Sequence, residues 1–313
     1  MFKDASLLFL HAETGMHVGS GQSLGVIDLA IQRERYTDYP VIAASGVKGA
    51  VRDWFSRTYA PSEDKGKKRS HPSVVAAFGP DTENASDHAG AVATTDARLL
   101  LFPVRSARGV FAWTTSPTAL ARLRRDLALA DHNDLPRVDA PDNDAHVQGS
   151  SKSVVHDAQG VLLEEYAFGF QKDEAVQKLA EWLVRHAVPS SAEYAFVRDT
   201  LASRLLVLSD NAFRDFVVHS TEVQARVKLG DGKSTDVKNG GNLFYQENLP
   251  ADSLLYAAVL ATDSFAKGES GKRASSKEML AFVKELDGKR IQLGGDETIG
   301  KGICTAHFLT THA

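Results

Sequence analysis

Two periodicities alternate along this chain, and a sequence that keeps switching between them buries its apolar residues by packing helices on a sheet. Short apolar or alternating runs predict strands over residues 7–12, 93–103, 110–114, 205–208, 254–260, 290–293 and 303–309. Stripes of helical period lie between them. The clearest follows Ser45, which reads as an N-cap: Val47, Ala50, Val51, Trp54 and Phe55 recur at the i, i+3, i+4, i+7, i+8 spacing of one buried face. Lys48 and Arg52 lie four apart on another face, so this helix is apolar inward and basic outward. Ser116 followed by Pro117 marks a second helix start, with Leu120, Leu123 and Leu127 inward and Arg122, Arg124 and Arg125 outward. Further helical patterns cover 175–187, 211–218 and 275–286. The expected class is α+β.

Polar stretches interrupt this frame. Residues 60–90 read as an exposed, flexible insert and 130–160 as a second polar insert. Nothing repeats internally, so residues 1–313 read as one elaborated domain. One segment departs from the mixed pattern. From Thr221 to Leu229 the chain alternates with period two, passes through Gly230-Asp-Gly-Lys-Ser, and returns to Asn242-Leu-Phe-Tyr245. This predicts a β-hairpin over 219–250 with a polar tip. A two-stranded ribbon is marginal alone in water, so such an arm needs something to grip.

Composition narrows the function classes. Lysine and arginine number 36 against 40 aspartates and glutamates, a net charge of −4, so nucleic-acid binding has to come from local patches. The single cysteine, Cys304, excludes a disulfide framework and a multi-cysteine metal site, and suits a reducing cytoplasm. Near the N-terminus only Leu7 to Leu10 form an apolar run, which is no signal peptide, and no run reaches the roughly 18 residues of a membrane helix. A soluble cytoplasmic protein with no membrane partner is expected.

Conventional catalytic motifs are missing. Gly295-Asp-Glu-Thr-Ile-Gly300-Lys301-Gly302 nearly matches a phosphate-binding loop, but glycine stands where magnesium needs a hydroxyl. Asp296 and Glu297 would repel phosphates, and a strand rather than a helix is expected to follow. A glycine-rich loop that admits a close backbone, of protein or of RNA, fits better. The histidines show no zinc spacing, and no nucleophile elbow occurs. What remains is a glycine-bearing stretch from Thr14 to Gly21, then Asp28, then Arg33, Arg35, Lys48 and Arg52 within twenty positions. Such cations either follow a phosphate chain or form a solvated basic face.

The ordered set His17-Val-Gly-Ser-Gly21, Gly25-Val-Ile-Asp28-Leu-Ala-Ile-Gln32-Arg33-Glu-Arg35, Pro40-Val-Ile-Ala-Ala-Ser45-Gly-Val-Lys48-Gly-Ala-Val-Arg52 and the late loop 294–302 resembles the RAMP superfamily of CRISPR proteins. More narrowly, it resembles the repeating backbone subunit of the type III-B (Cmr) effector complex. The run from Asp28 to Arg35, with the hairpin closing on Asn242-Leu-Phe-Tyr245-Gln-Glu247-Asn-Leu-Pro250, is its most specific part.

The resemblance implies an RRM or ferredoxin-like core with long inserts, the hairpin protruding as a thumb. Copies would stack as a filament along a guide crRNA beside other Cmr subunits. Each thumb would wedge into the duplex of guide and single-stranded target RNA and turn out one nucleotide at regular spacing. Asp28 would then cleave the target there, holding Mg²⁺ or another divalent ion or accepting the 2′-hydroxyl proton. Freeing a nucleotide from the stack lets the 2′-hydroxyl reach in-line geometry, so much of the catalysis is positioning. The resemblance gives His17 a role in acid–base chemistry or on a phosphate. It leaves Tyr245 stacking on a base or packing, and Glu247 aiding the metal or pairing with an arginine. Lys48, Arg52, Arg105 and Arg108 are expected on the guide backbone, with Ser45, Gly294, Gly295, Gly300 and Lys301 also binding RNA. Arg33 and Arg35 are expected to pair with acidic residues of the neighbouring copy. A non-catalytic scaffold of the same filament is the alternative.

Overall fold

The structure, a computed structural model, describes residues 2–22, 25–59, 62–64, 67–80, 86–156, 160–230, 238, 240–266 and 273–310. In chain order the first strands are β1 (Asp4–Ala12), β2 (Gly19–Gln22), β3 (Leu29–Ile31), β4 (Val41–Ile42), β5 (Ser62–Asp64), β6 (Lys67–Arg69), β7 (Val92–Thr94), β8 (Ala97–Ser106) and β9 (Val110–Thr115). The later ones are β10 (His146–Gly149), β11 (Gly160–Leu163), β12 (Tyr166–Lys172), β13 (Leu205–Val207), β14 (Glu222–Lys228), β15 (Asn242–Asn248), β16 (Leu254–Ala261), β17 (Arg290–Gln292) and β18 (Ile303–Phe308). Seven α-helices accompany them among the described residues: α1 (Ala44–Thr58), α2 (Pro72–Phe78), α3 (Pro117–Leu127), α4 (Glu174–His186), α5 (Ala195–Arg204), α6 (Asp210–His219) and α7 (Ser276–Lys284).

The main sheet runs β11-β12-β10-β13-β9-β8-β16-β1-β18-β17, and Leu163 of β11 also pairs with Ser106 of β8. That last pairing closes six of the strands into a barrel-like ring. β1 lies between β16 and β18, antiparallel to both. It reads Leu7-Leu8-Phe9-Leu10 without alternation because both faces are covered. Leu8 and Leu10 join a core with residues of α1, α2, α6 and α7, whereas Leu7 and Phe9 join a second core with α3, α4 and α5. Phe55, from the α1 stripe, is fully buried between Phe78 of α2 and Phe282 of α7, with ring centroids 5.6 and 4.6 Å away. Burying a side chain of this size stabilises by about 1.5–3 kcal/mol. The mixed α+β class is as expected.

Several local expectations are corrected. Ser45 does not cap α1: the helix begins at Ala44, and the Ala44 N–H donates to Asp96 Oδ1 at 2.7 Å. The orphan donor is satisfied by a residue remote in sequence. Within 60–90, α2 packs Val74, Ala77 and Phe78 into the core, so this part is no exposed loop. Residues 81–85 of the same insert lie outside the described residues. Within 130–160, β10 runs parallel to β12 and buries Val147, Gln148 and Gly149. The sequence reading also missed α5, whose stripe is blurred by a Phe196 that is 65% exposed. The stretch after β1 carries β2, β3 and β4.

A four-stranded sheet, β14-β15-β3-β2, stands beside the main one. β14 and β15 form the expected antiparallel hairpin, Glu222 opposite Asn248 through Lys228 opposite Asn242. The tip residues 231–237 and 239 lie outside the described residues. One face of the ribbon presents exposed Val223, Val227, Leu243 and Tyr245, the period-two set that the sequence shows.

Candidate functional site

The base of the hairpin is pinned to the loop after β1. Met16 and Leu249 exchange two main-chain hydrogen bonds of 2.8 Å, and β3 lies parallel to β15 with Leu29 opposite Gln246. Asp28 precedes β3 and is exposed. Its Oδ2 accepts the Tyr245 N–H at 2.7 Å, so an exposed carboxylate is fixed at the hairpin edge. Tyr245 is 43% exposed.

Glu247, two residues on, is different. It is 3% exposed, and its carboxylate accepts from the Ile31 N–H at 3.0 Å, the Thr221 hydroxyl at 2.8 Å and the Arg33 guanidinium. Of the two roles the resemblance left open, the structure therefore shows the arginine pair. Arg33 therefore has its acidic partner inside the chain. Arg35 is exposed.

His17 is half-buried, and its Nδ1 lies 2.7 Å from the Glu247 carbonyl. A carbonyl only accepts, so Nδ1 carries the proton and Nε2 holds the lone pair of the neutral ring. The glycine loop between β17 and β18 packs on this residue. Gly295 N–H donates to the His17 carbonyl at 2.8 Å, and Gly302 N–H to the Gly15 carbonyl at 3.0 Å. Gly294 has φ +88°, and a Cβ there would stand 2.3 Å from the His17 carbonyl oxygen, so close approach demands glycine. The loop forms a 3₁₀ turn over Glu297–Ile299 and enters a strand, which excludes the phosphate-loop geometry. Gly300 and Lys301 lie on its far arm. The Lys301 ammonium and the Glu222 carboxylate both flank Gly15, 3.2 and 2.9 Å from where its Cβ would be.

Two residues that sequence reasoning missed join the loop to the hairpin. Asp296 Oδ2 accepts from Arg226 at 2.7 Å and from Gln246 at 2.5 Å. Partial burial would raise its pKa, but these hydrogen bonds and the Arg226 charge outweigh that and hold the carboxyl below its ordinary range. The period-two pattern places Arg226 on the face opposite Tyr245, but nothing local names its partner seventy positions away.

The basic edge of α1 adjoins the loop. Arg57, in its last turn, pairs with Asp53 and reaches Glu297 at 3.4 Å. Ser45 is exposed in the first turn. Burial, and then the neighbouring Arg52, push the Lys48 ammonium below its ordinary pKa, a state that an anion would relieve. Arg105 and Arg108 are not brought here. Arg98 of β8 sits opposite Val41 near the start of α1, and Arg105 is seven residues further on, roughly 23 Å along the strand. Arg105 pairs with Glu164, and Arg108 donates to the Val155 carbonyl. Cys304 is fully buried in the core, and burial pushes its thiol pKa up.

Among the described residues no three His, Cys, Asp or Glu side chains gather as a metal-binding group. The available donor is the exposed Asp28 carboxylate. One carboxylate beside an open surface suits Mg²⁺, which keeps several waters and takes phosphate oxygens with one or two carboxylates. No helix among the described residues is long and apolar enough to cross a membrane.

A ribbon rooted on a glycine loop, an exposed carboxylate at its edge and a basic helix alongside make up the candidate site. The chain belongs to the RAMP superfamily, which matches over residues 9–305. Within it, the chain is 36% identical over 301 residues to the CRISPR system Cmr endoribonuclease Cmr4 of Pyrococcus furiosus, covering 95% of this chain and 93% of that protein. It is 28% identical to the CRISPR system CMR subunit Cmr4 of Saccharolobus solfataricus, covering 96% and 95%. Its fold is similar to that of oligomeric Cmr4 from Pyrococcus furiosus, with a TM-score of 0.71, 26% identity and 99% of each chain covered.

Proposed function

We propose that this chain is the repeating backbone subunit of a type III-B CRISPR effector and cleaves complementary target RNA within that complex. The observation that carries the site is the exposed Asp28 carboxylate anchored on Tyr245 N–H at the hairpin base, 2.7 Å away. The similarity to the Pyrococcus endoribonuclease supports the activity. Partners are a guide crRNA, single-stranded target RNA, further copies of the chain and other Cmr subunits, with no membrane involved. The cytoplasm is the proposed compartment.

The order β8-β16-β1-β18, antiparallel throughout, with α1 and α7 in the two crossovers, supports reading the core as ferredoxin-like, the RRM arrangement. We read the β14–β15 hairpin as the thumb. Its exposed Val223, Val227, Leu243 and Tyr245 suit contact with base faces, and the exposure of Tyr245 supports reading it as a stacking platform. Ser45, Lys48 and Arg52 on α1, with Gly294, Gly295, Gly300 and Lys301, form the proposed guide-backbone track. Arg105 and Arg108 would serve only RNA running over the far end of β8.

At the displaced nucleotide the target's 2′-hydroxyl is the nucleophile and the 5′-oxygen leaves. The free oxygen of Asp28 takes up the hydroxyl proton or binds a divalent ion. His17 Nε2, its tautomer fixed by the Glu247 carbonyl, accepts or donates a proton at the phosphate. A bound Mg²⁺ supplies neutralisation of the phosphate charge. Glu247 and Arg33 stand behind these groups and touch no RNA.

The test is target cleavage by a reconstituted guide-loaded complex, wild type against Asp28→Ala, in Mg²⁺ and in EDTA. Regularly spaced products that vanish in the mutant and in EDTA are expected. Identical ladders from both proteins would leave this chain a scaffold.

A further inference from the structure

The candidate site converges on Glu247. Its carbonyl holds His17 through Nδ1 at 2.7 Å, and its carboxylate accepts from Ile31 N–H at 3.0 Å and Thr221 Oγ1 at 2.8 Å. One residue therefore touches the His17 loop, the strand that begins just after Asp28, and the start of the hairpin. Asp28 itself leans on Tyr245, two positions earlier in β15.

A carboxylate 3% exposed is strongly unfavourable unless a cation meets it. Arg33 is that cation. Its Nη1 donates to the carbonyls of Asp38 and Val217, each at 2.8 Å. Val217 lies in the last turn of α6, so the guanidinium also faces the negative end of that helix. Arg33 is thus held by the packed body of the protein, and it transmits that placement to Glu247. The planar fork of an arginine reaches Glu247 with one nitrogen and both carbonyls with the other, which the point charge of a lysine does not reproduce.

We propose that Arg33 is a positioning residue for RNA cleavage: by fixing Glu247 it sets where Asp28 and His17 stand relative to one another. The inference rests on the reading of Asp28 and His17 as the reacting groups.

The experiment compares guide-loaded complexes carrying Arg33→Met, Arg33→Lys, Glu247→Gln, the double variant Arg33→Met/Glu247→Gln, or Asp28→Asn. Each is measured for Tm, target-RNA Kd and single-turnover cleavage rate. Arg33→Met strands a buried charge, so both Tm and rate fall. The double variant removes both charges and recovers Tm, yet its cleavage rate stays about 100-fold down at unchanged target Kd. Arg33→Lys recovers part of the rate. A double variant that recovers Tm and cleaves at the wild-type rate would make the pair purely structural and overturn the inference. If the double variant does not fold, Arg33→Lys decides: a wild-type rate overturns the proposal, and a lower rate at unchanged target Kd upholds it. Wild-type cleavage by Asp28→Asn would sink the underlying reading instead, whatever the Arg33 variants do.

Discussion

The Asp28 carboxylate accepts the main-chain N–H of Tyr245 at 2.7 Å, so an exposed acid and the edge of the hairpin move as one unit. The chain spends one carboxylate oxygen on structure and leaves the other for chemistry.

That division predicts the behaviour of Asp28→Asn. The amide oxygen still accepts from Tyr245, so hairpin geometry and guide binding persist, while the charge is gone. Single-turnover target cleavage is expected to fall by about 10²–10⁴-fold, with Tm and guide Kd unchanged. A loss of guide binding would show that Asp28 holds the scaffold together.

Lys48 and Arg52 are expected to contact phosphates. Replacing either by alanine should weaken guide RNA binding across sequences and reduce the salt dependence of log K by about one unit of slope. Arg105→Ala, which breaks only a pair with Glu164, should leave that slope as it is. Guide titrations at several salt concentrations measure both.

Gly294→Ala places a methyl group 2.3 Å from the His17 carbonyl oxygen at φ +88°. The loop must shift or the backbone must strain, at a cost of about 1–3 kcal/mol. Tm should fall by several degrees, and cleavage should fall with it because His17 is displaced. Gly300→Ala has open space around its Cβ, though its φ of +77° still carries strain, so its cost is expected to be smaller.

Acid should loosen the hairpin from the glycine loop. The Asp296 carboxyl is held below its ordinary range in the folded protein, so its pairing with Arg226 stabilises fully above that range and is lost progressively as pH falls below it, through the lowered pKa of the folded state. The Tm difference between wild type and Asp296→Asn is expected to be present at pH 7 and to close below about pH 4. A difference that persists unchanged at pH 3 would show that charge is not what Asp296 contributes.

The fold was legible where burial is one-sided and local. The α1 stripe, the Ser116 cap and the β14–β15 alternation each state their structure within a dozen residues. The start of α1 was misread because its capping acceptor is Asp96, which no window around Ser45 contains. β10 and β12 were missed because their pairing is parallel and non-local, and polar flanks masked the buried Val147 and Phe168. At the candidate site, the sequence named residues whose contacts only the structure supplies. His17, Asp28, Tyr245 and Glu247 do meet, but sequence alone left open whether Glu247 faces a metal or an arginine. That depended on Arg33, 214 positions away. Arg226 and Asp296 gave no local sign of one another.

The placement of β1 carries a consequence for biosynthesis. Its hydrogen-bonding neighbours are β16 and β18, so this strand waits for partners at Leu254–Ala261 and Ile303–Phe308. Until residues 254–308 emerge, Leu7 to Leu10 have neither sheet edge to join. Pairing over this separation is a long-range contact that closes late in folding, so the main sheet is completed only after residues 303–308 are made.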